Sequence, residues 1–307
     1  RIAKKENQDG RYRLANGKSA RLPQHDPLQH AEWIVISQMD AGIKEGKIFL
    51  ATAFDPAEMI RTINPTENIG WNYATNTIVA RKEWRIGKLI TKEEPLKNPD
   101  SALVATAVAD FIRKEGLYLF ERTIASEQLQ ARIASIAKWN TDSTWPDMTD
   151  DGLMNSLATW AQPFLGSIRK KEDLKKLDLH DMIISRLNWS EQEQLHQLAP
   201  EKIEVPSGSM ISIEYSQDGQ LPILPVRLQE VFGWKETPRI NKGKTPLVMN
   251  LLSPGFKPVQ VTKDLHSFWE NTYHEVRKEL RIRYPKHSWP EDPWTATAVR
   301  GAVRKKT

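Results

Sequence analysis

Residues 276–307 hold the side chains whose types and spacing most plainly suggest chemistry. Nine cations (Arg277, Lys278, Arg281, Arg283, Lys286, Arg300, Arg304, Lys305 and Lys306) stand there against Glu279, Glu291 and Asp292, a local net charge of +6. The whole chain of 307 residues has 44 Lys plus Arg against 39 Asp plus Glu, a net of +5, so the other 275 residues sum to −1. The pI near 9.2 therefore describes one end of the protein, and such asymmetry points to an anionic partner. At helical spacing Arg277, Lys278 and Arg281 share one side, while Val276 and Leu280 turn toward a core. Beyond them, Arg283-Tyr284-Pro285-Lys286-His287-Ser288-Trp289-Pro290 mixes guanidinium, ammonium and aromatic rings in a proline-stiffened segment. These are groups that hold phosphates and stack unpaired bases. In the competing reading, Tyr284 and Trp289 pin the segment to its domain and the charges only solvate a face.

Other chemistries find less support. Gly243-Lys244-Thr245 has the end of a phosphate-binding loop, but position 238, where the loop needs a glycine, is Pro; a polar hairpin turn is expected instead. Asp147, Asp150, Asp151 and Gly152 would need a bidentate Glu where Ala158 stands to bind calcium, so helix capping is expected there. The histidines form no HExxH pair, and His25 with His30 lacks a third ligand. There is no GxSxG elbow, which leaves no positive sign of catalysis. Zero cysteines exclude disulfides, Cys-ligated zinc, iron–sulfur clusters and thiol catalysis, and suit a cytoplasmic protein. The uncharged apolar runs are too short to span a bilayer. The N-terminus, Arg1-Ile2-Ala3-Lys4-Lys5, has neither an initiator Met nor a signal core, so a piece of a longer chain is expected.

Three segments position these residues, in an α+β, multidomain chain. Residues 1–98 read as an OB-like β-barrel. Tyr12 to Leu22 turns at Ala15-Asn16-Gly17, Trp33 to Ile36 and Lys47 to Phe54 form a hairpin, and Asp55 with Pro56 starts a short helix. Two strands over Ile69 to Ile90 then complete the barrel, turning at Asn76. Residues 99–201 read as a helical domain, with Leu103, Val104, Ala107, Val108 and Phe111 on one buried face and Leu129, Ile133, Ile136 and Ala137 on another. Residues 202–307 read as a mixed α+β domain whose last helix starts near Asp264 and ends in the basic tail.

In this last segment Pro246-Leu247-Val248-Met249-Asn250-Leu251-Leu252-Ser253-Pro254, Pro258-Val259-Gln260-Val261-Thr262-Lys263-Asp264-Leu265, Phe268-Trp269 and Val276-Arg277-Lys278-Glu279-Leu280 occur in order. Arg283-Tyr284-Pro285-Lys286-His287 and Trp289-Pro290-Glu291-Asp292-Pro293 follow. Together they resemble the C-terminal domain of HrpB-type bacterial ATP-dependent helicases, members of the DEAH-box RNA helicases. Ile282 and Ser288 depart from the Gly and Pro of that pattern. Tyr12 to Leu22, Trp33 to Ser37 and Lys47 to Asp55 are similar to the OB-like segment that follows the family's motor. The motor's Walker-type loop, Asp-Glu-x-His box and arginine finger are absent from this chain. The resemblance implies a parent NTP hydrolase that uses ATP and Mg, with no cofactor and no ATPase activity in this chain alone. The chain itself would be an accessory region that binds and guides single-stranded RNA and regulates a motor upstream in cis. Arg277, Lys278, Arg281, Arg283 and Lys286 are expected to contact phosphate and Trp289 to stack. Lys44 and Lys47, on a loop joining barrel strands, are weaker choices. The alternative is a protein-interaction module that recruits the helicase to a partner without binding RNA.

Overall fold

The structure is a computed structural model that describes residues 1–6, 9–40, 45–141 and 145–302. The chain divides into two compact units, Arg1–Phe111 with Gln162–Asp173, and Ile112–Ala161 with Leu174–Thr307.

In the first unit, alternation buries Tyr12 and Leu14 and leaves Arg11 and Arg13 outside. Strands β1 (Ile2–Lys5), β2 (Arg11–Leu14), β3 (Ser19–Arg21), β4 (Trp33–Asp40) and β5 (Gly46–Ala53) close a barrel in the order β1-β2-β3-β5-β4. Pairing is antiparallel except between β3 and β5, which run parallel. Ala3, Tyr12, Leu14, Ala20, Ile34, Ile36 and Ile48 fill the interior. The buried Tyr12 hydroxyl donates to the carbonyls of Leu28 (2.7 Å) and Ala31 (2.6 Å), so the polar tip of the largest barrel side chain is satisfied.

The barrel does not close through the strands expected after the short helix α1 (Ala57–Thr62). Its fifth strand is β1, whose Ala3 lies opposite both Leu14 and Ile34. Ile2-Ala3-Lys4-Lys5 carries almost no hydrophobic signal, because its fully buried residue is the small Ala3. The later strands β6 (Thr66–Asn72), β7 (Thr77–Ile86) and β8 (Leu89–Pro95) form a separate antiparallel sheet in the order β6-β7-β8. Asn76, at φ 54°, makes the β6–β7 turn as its sequence suggested. Asp55 precedes the cap and accepts from Ala57 N (3.0 Å), with Pro56 in the cap position and not in the first turn. Helix α2 (Ser101–Glu115) buries Val104, Val108 and Phe111 but leaves Leu103 exposed, against the expected face.

The second unit is organised by α3 (Ile124–Trp139), started by a reciprocal Thr123–Ser126 capping box. Short helices follow: α4 (Asp150–Asn155), α5 (Leu157–Trp160), α6 (Gln162–Leu165), α7 (Lys171–Leu174), α8 (Leu179–Ile184) and α9 (Trp189–Leu198). Of these, α6 and all but the last residue of α7 belong to the first unit. Thr149 caps α4 by accepting from Gly152 N, and Asp147 accepts in turn from Thr149 N (2.9 Å) and Oγ1 (2.7 Å). Those bonds hold the Asp147 carboxyl below the ordinary carboxylate pKa.

After α9 come β9 (Lys202–Glu204), β10 (Met210–Ser212), β11 (Ile223–Arg227), β12 (Arg239–Ile240), β13 (Thr245–Pro246), β14 (Val248–Leu252) and β15 (Pro258–Thr262). β11, β14 and β15 form one sheet, with β11 parallel to β14. Gly243 and Lys244 lie in the turn of the β12–β13 hairpin, where Asn241, Lys242 and Gly243 all have positive φ. The last helical elements among the described residues are α10 (Leu265–Ser267), a π-helical turn over Phe268–Thr272, and α11 (Tyr273–Arg283). Trp269 and Tyr273 pack their rings 5.3 Å apart, and both meet Phe232 at about the same separation, 6.0 and 5.9 Å. This aromatic cluster and Leu280 hold α11 in place.

Candidate nucleic-acid interface

Helix α11 and the segment just after it set Arg277, Lys278, Arg281, Arg283 and Lys286 in three different environments. Arg277 is only 16% exposed; its Nε donates to Trp289 O (2.9 Å) and its Nη2 reaches Glu291 (3.3 Å). It ties the helix to the segment beyond it. Lys278 pairs with Glu275 at 2.7 Å, and Arg283 lies 3.9 Å from Glu279. Both contacts are solvent-exposed and dissolve readily in favour of another anion. Arg281 and Lys286 are exposed and have no acidic partner among the described residues.

Trp289 is not a stacking platform in this arrangement. It is 8% exposed, and its indole N–H donates to Tyr284 O (2.9 Å). Tyr273 reinforces the same turn by donating to Pro290 O (2.8 Å). The basic segment beyond α11 is also anchored as far as residue 301. Val299 N donates to Gln229 O (3.0 Å), and Gln229 Nε2 donates back to Val299 O and Gly301 O, both at 3.1 Å. Arg300 donates to Ser207 O and Gly208 O. Arg304, Lys305 and Lys306 lie outside the described residues, as does Lys44.

Lys47 is part of strand β5, not of a loop. Strand pairing sets Arg11 opposite Arg21, and Arg21 opposite Lys47, so three cations form a row across the outside of β2, β3 and β5. Arg13 stands two residues along from Arg11. Glu6 lies 3.0 Å from Arg11 and 3.8 Å from Arg13, and Glu45 contacts Arg11 (3.1 Å) and Arg21 (3.3 Å). Two carboxylates thus hold three guanidinium groups upright on one face. Phe49, 62% exposed, follows Lys47 on the same side of β5. Arg11, Arg13 and Arg21 are the residues that sequence spacing missed. The alternation of outward Arg and inward Tyr and Leu in Arg11–Leu14 was the available signal, but the row exists only through long-range pairing. Chemically, the row and its neighbouring ring offer phosphate contacts beside an aromatic surface.

The family comparisons agree with this architecture. Residues 160–293 match the family described as "ATP-dependent helicase C-terminal", and residues 63–96 match the "ATP-dependent RNA helicase HrpB, connector region". The second match coincides with β6 to β8, the sheet that lies outside the barrel. Over 306 residues the chain is 37% identical to the ATP-dependent RNA helicase HrpB of Escherichia coli strain K12, covering 98% of this chain. The chain belongs with the C-terminal region of HrpB-type helicases. It spans 38% of that relative's length. A crystal structure of the E. coli DExH-box NTPase HrpB superposes with a TM-score of 0.65 at 37% identity, covering 98% of this chain and 38% of that one. A crystal structure described as the E. coli DEAH/RHA helicase HrpB gives 0.57 at 35% identity, covering 94% and 37%. This HrpB-type region is therefore an accessory helicase region of mixed α+β build. No helix among its described residues is long and apolar enough to cross a membrane.

Asp178, His180 and Asp181 are the one group of described residues spaced as metal ligands could be. Asp178 already caps α8, accepting from His180 N (2.8 Å) and Asp181 N (3.3 Å), and His180 pairs with Asp181 at 3.3 Å. Capping accounts for the cluster without a metal.

Proposed function

We propose that this region binds and guides single-stranded RNA as the accessory part of a cytoplasmic ATP-dependent RNA helicase, and regulates the rate of the motor. ATP and Mg belong to the motor, an NTP hydrolase joined in cis, and this region hydrolyses nothing alone. The single observation that carries the reading is the Arg11–Arg21–Lys47 row beside Phe49, found in a chain that matches HrpB helicases along nearly all its length. The barrel order and its parallel β3–β5 closure support reading the barrel as OB-like, a fold whose sheet face often takes single strands. Arg281, Arg283 and Lys286 supply a second set of phosphate contacts, with Lys278 and Lys44 as further contributors.

The test is a filter-binding titration of single-stranded RNA with Arg21→Glu/Lys47→Glu and with Arg281→Glu/Lys286→Glu. Each pair of reversals is expected to weaken binding and to reduce its salt dependence by about 0.7 per lost phosphate contact. Unchanged affinity in both variants refutes the reading.

A protein-docking role is the second reading, favoured by Ile282, exposed between Arg281 and Arg283. A basic surface with a central apolar anchor suits an acidic protein partner. Capture of a partner that survives nuclease and is lost in Ile282→Gln distinguishes the two.

A further inference from the structure

Two glycines lie inside strands of the first unit, and only one has a reason within the fold. At Gly46 a Cβ would meet Met39 Cε at 2.5 Å and Asp40 O at 2.6 Å. At Gly70, in the middle of β6, a Cβ would meet nothing within 4 Å, and the backbone is outside the left-handed region. The β6–β7 register passes through Gly70↔Val79 without a bulge. Neither packing, conformation nor register therefore calls for glycine here, although glycine weakens a strand; the remaining cause is close approach by something from outside.

The surroundings identify what approaches. Gly70 lies between Asn68 and Asn72 on one face of an edge strand, above Val79 and Arg81 of β7. That face has a cavity of about 520 Å³ lined by Asn68, Gly70, Asn72, Tyr73, Val79 and Arg81, a size within the ligand-pocket range. Asn68 Nδ2 donates to the buried Glu83 (2.8 Å), which leaves its Oδ1 as an acceptor. Asn72 Oδ1 accepts from Ala74 N (2.9 Å), which leaves its Nδ2 as a donor. Tyr73, 46% exposed at the end of the groove, holds its ring 5.9 Å from Phe111 and keeps the rest of it open to solvent. Arg81 is paired with Glu93 at 2.8 Å, and Glu83 lines the same cavity. The site thus offers one acceptor, one donor, a ring and a flat floor, with no surplus positive charge. That combination rejects a phosphate and accepts a planar, polar-edged heterocycle.

We infer that the Gly70 notch of β6 is a pocket for a single unpaired nucleobase, read at its edge by Asn68 and Asn72 and stacked against Tyr73. The inference rests on the single-strand reading above and gives that strand a point of base contact apart from its phosphate contacts. Addition of a peptide strand along β6 fits less well, since it would use the edge N–H and C=O groups and would not require a missing side chain on the sheet face.

The experiment compares the whole chain with Gly70→Val and Tyr73→Ala, using a fluorescent single-stranded 12-mer oligoadenylate carrying one 2-aminopurine. Gly70→Val is expected to keep or raise the thermal midpoint, since Val suits a strand and nothing obstructs it. It should weaken binding about tenfold, the scale of one lost stacked base, and abolish the 2-aminopurine fluorescence change. The slope of affinity against salt should stay at the wild-type value, because no phosphate contact is lost. Tyr73→Ala should reproduce the loss. Wild-type affinity and fluorescence change in a folded Gly70→Val overturn the pocket and leave the phosphate contacts standing. Protection of β6 amides from hydrogen exchange by a bound peptide, unaffected by Gly70→Val, also overturns it in favour of strand addition. A wild-type chain with no salt-sensitive RNA binding refutes the pocket and the underlying reading together.

Discussion

Arg277 and Arg281 stand one turn apart on α11, and their surroundings give them opposite roles. Arg277→Met keeps the length and apolar stem of the side chain but removes the Nε–H bond to Trp289 O and the reach to Glu291. A hydrogen bond from a charged donor contributes about 1.5–3 kcal/mol. The Glu291 pair adds about 1 kcal/mol at most, since that carboxylate is largely in solvent. The expected loss is about 2 kcal/mol, a fall in urea midpoint of roughly 0.7–1 M at a typical slope. Arg281→Met removes a solvent-exposed charge with no partner, so its midpoint should stay within about 0.5 kcal/mol of wild type. Its affinity for single-stranded RNA should fall, with the salt slope reduced by about 0.7. Urea unfolding followed by tryptophan fluorescence, beside a binding titration, reads both effects. A wild-type midpoint in Arg277→Met, or a larger RNA defect there than in Arg281→Met, would refute the assignment.

Two further substitutions probe the frame that holds these sites. Gly152→Ala should destabilise the second unit by about 1–3 kcal/mol, because the added methyl would overlap the Asp147 carboxylate that braces the α4 cap. In an unobstructed helix the same change would stabilise, so a raised melting temperature contradicts this account of the cap. His287 contacts Gln229 Oε1 at 2.7 Å, in the clasp that anchors residues 299–301. Burial, then the Arg227 charge, lowers its pKa below the ordinary histidine value. The unfolded chain therefore takes up the proton first. This contribution is complete above about pH 6.5 and shrinks as pH falls below that toward the folded pKa. His287→Gln should show a smaller loss of urea midpoint between pH 7.5 and 5.5 than wild type does; an equal loss removes His287 from the explanation.

Local pattern was the legible part of the fold. Alternation marked the hairpins around Gly17 and Asn76, side-chain oxygens marked the helix starts near Asp150 and Asp264, and helical spacing grouped the cations of α11. Closure of the barrel was not legible, because Ala3 contributes by being small and leaves no hydrophobic signature. The Arg11–Arg21–Lys47 row was hidden for a different reason: Arg11 meets Arg21 across the β2–β3 hairpin, but Lys47, 26 residues further on, joins them only through β3's parallel pairing with β5. Trp289 showed the limit of composition. An aromatic ring among basic residues has the same sequence signature whether it stacks bases or buries itself, and the carbonyl of Tyr284 decides for burial. Gly70 had no signal in sequence, since glycine in a strand reads as a weak strand until its surroundings are known to be empty.

The central claim, that this helicase region carries its own single-strand binding surface, is tested most directly by the salt dependence of the purified chain's affinity for single-stranded RNA. Three or more phosphate contacts predict that log K falls linearly with log salt, with a slope of about −2 or steeper. Affinity that is undetectable at low salt, or that does not change between low and physiological salt, would contradict the claim.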